Sequence, residues 1–104
     1  MSQFFVYANA DAASRRFVPC WLNVQGDLIE IVESRVVVPL IAPERARAPV
    51  GRLMPLLTIA GKRMVMDTAQ ITSVPMQMLG RRVADVSAER LTIIGALDFL
   101  THGI

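Results

Sequence analysis

Two residue types that carry much of protein chemistry are almost missing from this 104-residue chain, which has one histidine, His102, and one cysteine, Cys20. A single cysteine excludes an intrachain disulfide framework and fits a reducing cytoplasm. Within the apolar run Phe17-Val18-Pro19-Cys20-Trp21 it reads as a small buried hydrophobe rather than a reactive thiol. There is no zinc-ligand spacing, no phosphate-cradling glycine loop and no Gly-x-Ser-x-Gly elbow. Aromatic residues make up only 6% of the chain and charged ones 19%. Lysine is nearly absent too: of the 11 cations only Lys62 is not arginine. No apolar run approaches the ~18–20 residues needed to cross a bilayer, so no membrane segment is expected. The start, Met1-Ser2-Gln3, is not a basic stretch leading into an apolar run, so no signal peptide is expected either.

What the chain does have is apolar residues, 53% of the total. At this length a chain reads as one domain, residues 1–104, and folding buries about two-thirds of the unfolded surface. So small a core cannot hide that much apolar surface, and the outlet expected is an interface, read here as a homodimer. The formal net charge of +2 is too small to argue for nucleic-acid binding by itself. Arginine forks suit carboxylates and phosphates, so an acidic or amphipathic protein partner explains the cations at least as well.

Along the chain there is no repeat, linker or low-complexity tract. Phe4 to Tyr7 reads as a first strand, followed by a small polar loop from Asn9 to Arg15. Phe17 to Ile31 reads as a long strand bent near Pro19 and Gly26. Arg35 to Ile41 has a buried-strand pattern in which Pro39 implies an edge or a bulge. Pro43 to Gly51 reads as an exposed basic loop. Leu53 to Ala60 and Arg63 to Thr68 flank a two-residue turn, Gly61-Lys62. Met76 to Leu79 reads as a short strand closed by Gly80. Met64/Met66 and Met76/Met78 form period-two pairs that read as core filling, with an adaptable interface as the alternative.

One helix is expected from about Ser87 to Thr101. Ser87 is the candidate N-cap, Glu89 lies in the first turn, and Leu91, Ile94, Leu97 and Leu100 form the apolar stripe. Gly95 in its middle implies a close-packed neighbour, because interior glycine costs about 1 kcal/mol against alanine. Gly103 is a candidate C-cap, and the apolar Ile104 beyond it suits insertion into a partner as well as a plain helix end. Short strands, turn punctuation and a terminal helix indicate an α+β class, mainly β: an antiparallel barrel or curled sheet.

The catalytic inventory stays thin. Asp67, Asp85 and Asp98 are separate acids, and Asp85 just before the helix favours its dipole. His102 reads as a solvated tip or as a cation near the last carbonyls. An endoribonuclease would need an acid–base pair and an arginine on the scissile phosphate. Arg15, Arg16, Arg45, Arg47 or Arg52 supply the arginine, with Asp11 or Glu44 as candidate carboxylates.

Several segments, in order, resemble the CcdB toxins: Phe4, Val6-Tyr7, Val24-Gln25-Gly26-Asp27-Leu28-Ile29, Arg35 to Leu40 and Ser73-Val74-Pro75. Leu79-Gly80, Val83 to Ser87, Ile94, Ala96-Leu97, Leu100 and Gly103-Ile104 continue the match. The resemblance implies an SH3-like barrel core with a small extra sheet and a C-terminal helix, assembled as a dimer. It also implies a toxin of a type II toxin–antitoxin module that needs no cofactor, binds the DNA gyrase A subunit and traps gyrase on cleaved DNA. Carried over by position, His102, Gly103 and Ile104 would face gyrase, with Asp98 and Thr101 one turn earlier and Leu28 and Ile29 contributing. Arg15, Arg16, Arg45, Arg47 and Arg52 would meet the disordered C-terminal segment of a cognate antitoxin.

Three positions depart from that pattern. His102 stands where tryptophan is implied, and Asp98 and Thr101 where asparagine and phenylalanine are. Losing the tryptophan removes aromatic contact worth roughly 1–3 kcal/mol. The alternatives are therefore a divergent member with weak or no gyrase activity, or a ribonuclease of the MazF/Kid type on a related barrel.

Overall fold

Alternation of apolar side chains drives most of the chain into strands, and one sheet takes them all. The computed structural model describes residues 2–31 and 33–103. Its strands are β1 (Phe5–Asn9), β2 (Cys20–Asn23), β3 (Ser34–Ile41), β4 (Leu56–Ile59), β5 (Lys62–Met66), β6 (Thr72–Pro75) and β7 (Leu79–Asp85), followed by the helix α1 (Arg90–His102). The sheet runs β4-β5-β3-β2-β1-β7 and curls into an antiparallel half-barrel. The small extra sheet expected is not separate among the described residues: β6 joins the same sheet along the first half of β3. The fold is α+β, mainly β, with α1 at its C-terminal end.

β3 is apolar on both faces because both are covered. Val38 and Leu40 are fully buried with Val6, Leu22, Leu57 and Met66, and Ile93 and Ala96 of α1 close over this face. Val37 points the other way, into a second cluster with Tyr7, Trp21, Val74 and Leu79. Such a strand reads as a continuous hydrophobic run. Pro39 was expected at an edge or bulge, yet β3 is central. It sits opposite Trp21 of β2, between the stretch paired with β6 (Ser34–Val37) and the stretch paired with β5 (Leu40–Ile41). A missing N–H is tolerated where the sheet changes partner.

Other expectations need correction. The segment from Phe17 to Ile31 is not one strand: only Cys20–Asn23 is extended. Phe17 is 49% and Leu28 92% exposed, so apolar composition there marks loop, not sheet. The β4–β5 turn is Ala60-Gly61, one residue earlier than expected, since Ile59 pairs with Lys62. Both turn residues have positive φ, 50° and 82°, the geometry whose twist matches a hairpin. Met76–Met78 is a single 3-10 turn, and Gly80 lies inside β7 rather than closing a strand. A Cβ on Gly80 would stand 3.0 Å from the Ala8 carbonyl oxygen. Glycine is required at that approach, which falls where the β1–β7 register slips.

The helix also differs in detail. A 3-10 turn, Ser87–Glu89, precedes α1, and Ser87 makes no side-chain cap. Instead Asp85 Oδ1 accepts the Ser87 N–H at 2.9 Å, and the Ser87 hydrogen bonds hold the Asp85 carboxyl below its usual range. Within α1 the buried residues are Ile93 and Ala96, flanked by Ile94 and Leu97, while Leu91 is 80% exposed. Nothing lies within 4 Å of a Cβ built on Gly95, so the close neighbour expected there is absent. Met64 and Met66 fill the first core, whereas Met76 and Met78 pack at the edge of the second. Cys20 is half-buried against the first core, and burial pushes its thiol above the ordinary range.

Candidate functional site

Two groups of candidate residues occupy different parts of the molecule. The first is the last turn of α1. Asp98, Thr101 and His102 are all exposed there, and Thr101 and His102 are held by the helix backbone. The Thr101 hydroxyl reaches the carbonyls of Leu97 (3.1 Å) and Asp98 (3.2 Å). His102 Nδ1 lies 2.9 Å from that hydroxyl and 3.2 Å from the Asp98 carbonyl. Gly103 closes the turn at φ 73°, its N–H donating to the Phe99 carbonyl at 2.8 Å. That is the left-handed stop that glycine adopts without strain. Ile104 lies outside the described residues.

Leu28 and Ile29 stand on the loop between β2 and β3, 92% and 52% exposed. Buried Gln25 braces this loop: its Nε2 donates to the Ile29 carbonyl at 3.3 Å, and its Oε1 accepts from the Val36 N–H at 3.0 Å. Asp27 adds a tether, accepting the Gln3 N–H at 2.7 Å. Ile31 is also exposed, at 53%. Leu28, Ile29 and Ile31 thus present three exposed apolar side chains on one loop.

The second group is arginine-rich, and the structure divides it. Arg16 and Arg45 come from different loops yet place their guanidinium carbons 5.3 and 4.9 Å from the centre of the same Phe17 ring. Arg45 and Arg47 line a cavity of about 490 Å³ together with Phe17 and Trp21. Arg52 goes elsewhere, to the Phe99 ring on α1 at 5.0 Å. Arg15 is exposed on the loop after β1. That loop is ordered by buried Asn9, whose Nδ2 donates to the Val18 carbonyl (2.9 Å) and the Ser14 hydroxyl (3.0 Å). Asp11 supports it by accepting from the Ser14 hydroxyl at 2.7 Å.

Sequence reasoning missed Phe17 and Asp67. Phe17 was placed inside a strand, though an aromatic next to Arg15-Arg16 and before a proline was a usable signal. Asp67 also lines the cavity, and burial pushes its carboxyl up while the nearby Arg47 partly offsets this. The carboxylate that lines the cavity with Arg45 and Arg47 is Asp67 rather than Asp11 or Glu44. Nothing local in the sequence pairs residues 47 and 67.

Trp21 is 6% exposed, and its indole N–H has no hydrogen-bond partner among the described residues. Among the described residues, no group of three or more His, Cys, Asp and Glu side chains is placed to hold a metal ion. Among them also, no helix is long and apolar enough to cross a membrane. Compared with known families, residues 3–103 match the family model described as CcdB protein.

Proposed function

The chain belongs to the CcdB family, toxins of toxin–antitoxin modules, and on that premise we propose that it is a cytoplasmic homodimeric toxin that poisons DNA gyrase. It acts by binding rather than by catalysis. The end of α1, through Asp98, Thr101, His102, Gly103 and Ile104, inserts between gyrase A subunits and holds the state in which DNA is cut. A ligand that binds only one conformation shifts the population toward it. A two-fold toxin dimer facing a two-fold enzyme matches it in symmetry. Leu28 and Ile29 contribute a second contact.

The observation that carries this reading is the construction of the tip. Its side chains are exposed, yet Thr101 and His102 are fixed to the last carbonyls, and Gly103 stops the helix sharply. A preordered tip loses little freedom on insertion, which favours affinity. His102 supplies a flat ring for stacking on a guanidinium where the family pattern has tryptophan, with less area.

The antitoxin is the second partner. Its disordered segment meets Arg15, Arg16, Arg45 and Arg47 around Phe17, and Arg52 near the helix. Because Arg52 lies over Phe99, an antitoxin held there also lies close to the tip. Removing Gly103 and Ile104 tests the reading: toxicity to host cells should vanish while thermal unfolding stays within a degree or two of the full chain. Retained toxicity in the shortened, folded protein would overturn the helix-tip mechanism.

A ribonuclease would draw on Asp67 and Arg47, which line one cavity. The chain's one histidine, however, sits at the helix tip. The second acid–base group that such chemistry needs is not supplied there.

A further inference from the structure

The cavity under Phe17 plays no part in the helix-tip reading, and its lining has the character of a ligand site. Its volume of about 490 Å³ lies inside the roughly 300–1,000 Å³ span of small-molecule pockets. Its apolar walls are flat: the Phe17 ring, the Trp21 indole and the Pro39 pyrrolidine. Two planar guanidiniums, Arg45 and Arg47, face a single carboxylate, Asp67, so the charged lining carries a net positive charge when all three are ionised. Arg45 already stacks on Phe17 at 4.9 Å. A stacked guanidinium directs its N–H donors outward in its own plane, in the fork that grips phosphate or carboxylate with two parallel hydrogen bonds.

The geometry points to a binding site for a planar anion: a small molecule with an aromatic or heteroaromatic ring and one phosphate or carboxylate group. The ring lies against the flat walls of Trp21 and Pro39, and the anionic group is taken by Arg45, held over Phe17, and Arg47. A neutral ring uses the walls alone and a bare anion uses the arginines alone. Only a molecule with both uses the whole cavity. This site is independent of gyrase binding, since it shares no residue with the tip of α1.

Trp21 is the chain's one tryptophan, so its fluorescence reads the cavity directly. The full-length protein is titrated with phenyl phosphate, benzoate and adenosine 5′-monophosphate. Phenol, adenosine, inorganic phosphate and acetate serve as the matched halves. At least one ring-bearing anion should change Trp21 emission saturably with a midpoint below about 1 mM, and at least tenfold more tightly than its own halves. Binding by phenyl phosphate or adenosine 5′-monophosphate assigns a phosphate, binding by benzoate a carboxylate, and either supports the site. The Arg45→Ala/Arg47→Ala double variant should bind at least tenfold more weakly with an unchanged circular dichroism spectrum. Arg47→Lys in the Arg45→Ala background should restore part of the loss, and Arg81→Ala, on β7, should bind normally. No saturable change up to about 10 mM overturns the proposal. So does equal binding by a neutral ring or by inorganic phosphate, or unweakened binding by the double variant.

Discussion

The helix tip and the Phe17 cavity both gather polar groups at the surface, but they are assembled in opposite ways. The tip comes from one stretch of chain, in which Thr101 and His102 lean on carbonyls of their own helix. The cavity is convergent: the loop after β1 brings Arg16 and Phe17, the loop after β3 brings Arg45 and Arg47, and Asp67 follows β5. Backbone geometry therefore sets the tip, while side-chain stacking across loops sets the cavity. A local site separates cleanly from the fold that carries it. A convergent site depends on the loops staying where they are.

The sharpest way to break this contrast is to undock the helix that carries the tip. Ile93 is fully buried over the sheet, and Ile93→Ala should cost about 2–5 kcal/mol, read as a fall in the urea midpoint. Toxicity should fall with it, since an undocked tip has no fixed direction. Stability falling with toxicity intact would mean that the tip works without its platform.

A smaller effect is expected at the helix stop. Gly103→Ala places a Cβ at φ 73°, which costs about 1–2 kcal/mol. The cost is confined to the tip, so thermal unfolding should move little and toxicity more. Equal loss in both measurements would mean that the tip is not separable.

For the cavity, a double-mutant cycle on Phe17→Ala and Arg45→Ala measures the stacking that joins its loops. A coupling of about 0.5–1 kcal/mol is expected for an exposed cation–aromatic pair. A value of zero would make the convergence a matter of loop backbone alone.

The smallest effect concerns Asp67, whose folded-state carboxyl is raised above 3.8 mainly by burial, with Arg47 opposing. Burial there disfavours the charged form. The stability associated with the neutral carboxyl is present below pH 3.8 and lost as pH rises through the folded value. Asp67→Asn should therefore be more stable than the parent at pH 7, and the gap should close near pH 3. Urea midpoints at the two pH values check this, and a gap that widens in acid would reverse the sign.

The elements that could be read from the sequence are those fixed by neighbours in the chain. β3, the β4–β5 hairpin, the terminal helix and its Gly103 stop follow from periodicity and turn chemistry. The Phe17–Ile31 region misled because apolar composition alone does not distinguish a loop from a strand, and only Cys20–Asn23 pairs in the sheet. Phe17, Leu28, Ile29 and Ile31 are all about half-exposed or more. Of the expected helix stripe, Ile94 and Leu97 do pack against the core, but its centre is Ile93 and Ala96, and Leu91 faces solvent. The arginines were visible as residues, yet their division between Phe17 and Phe99 was not. It depends on β3 and β5 carrying residues 45–47 and 67 to the same place, and nothing near either residue in the chain records that.

The most direct test of the central claim is a gyrase cleavage assay with the purified full-length protein. Plasmid, gyrase and ATP are incubated with the toxin, trapped complexes are digested with protease, and linear DNA is scored. The account predicts linear DNA in proportion to toxin, and none with the chain lacking Gly103 and Ile104. A folded full-length protein that yields no linear DNA at micromolar concentration, or a truncated one that yields as much, would contradict it.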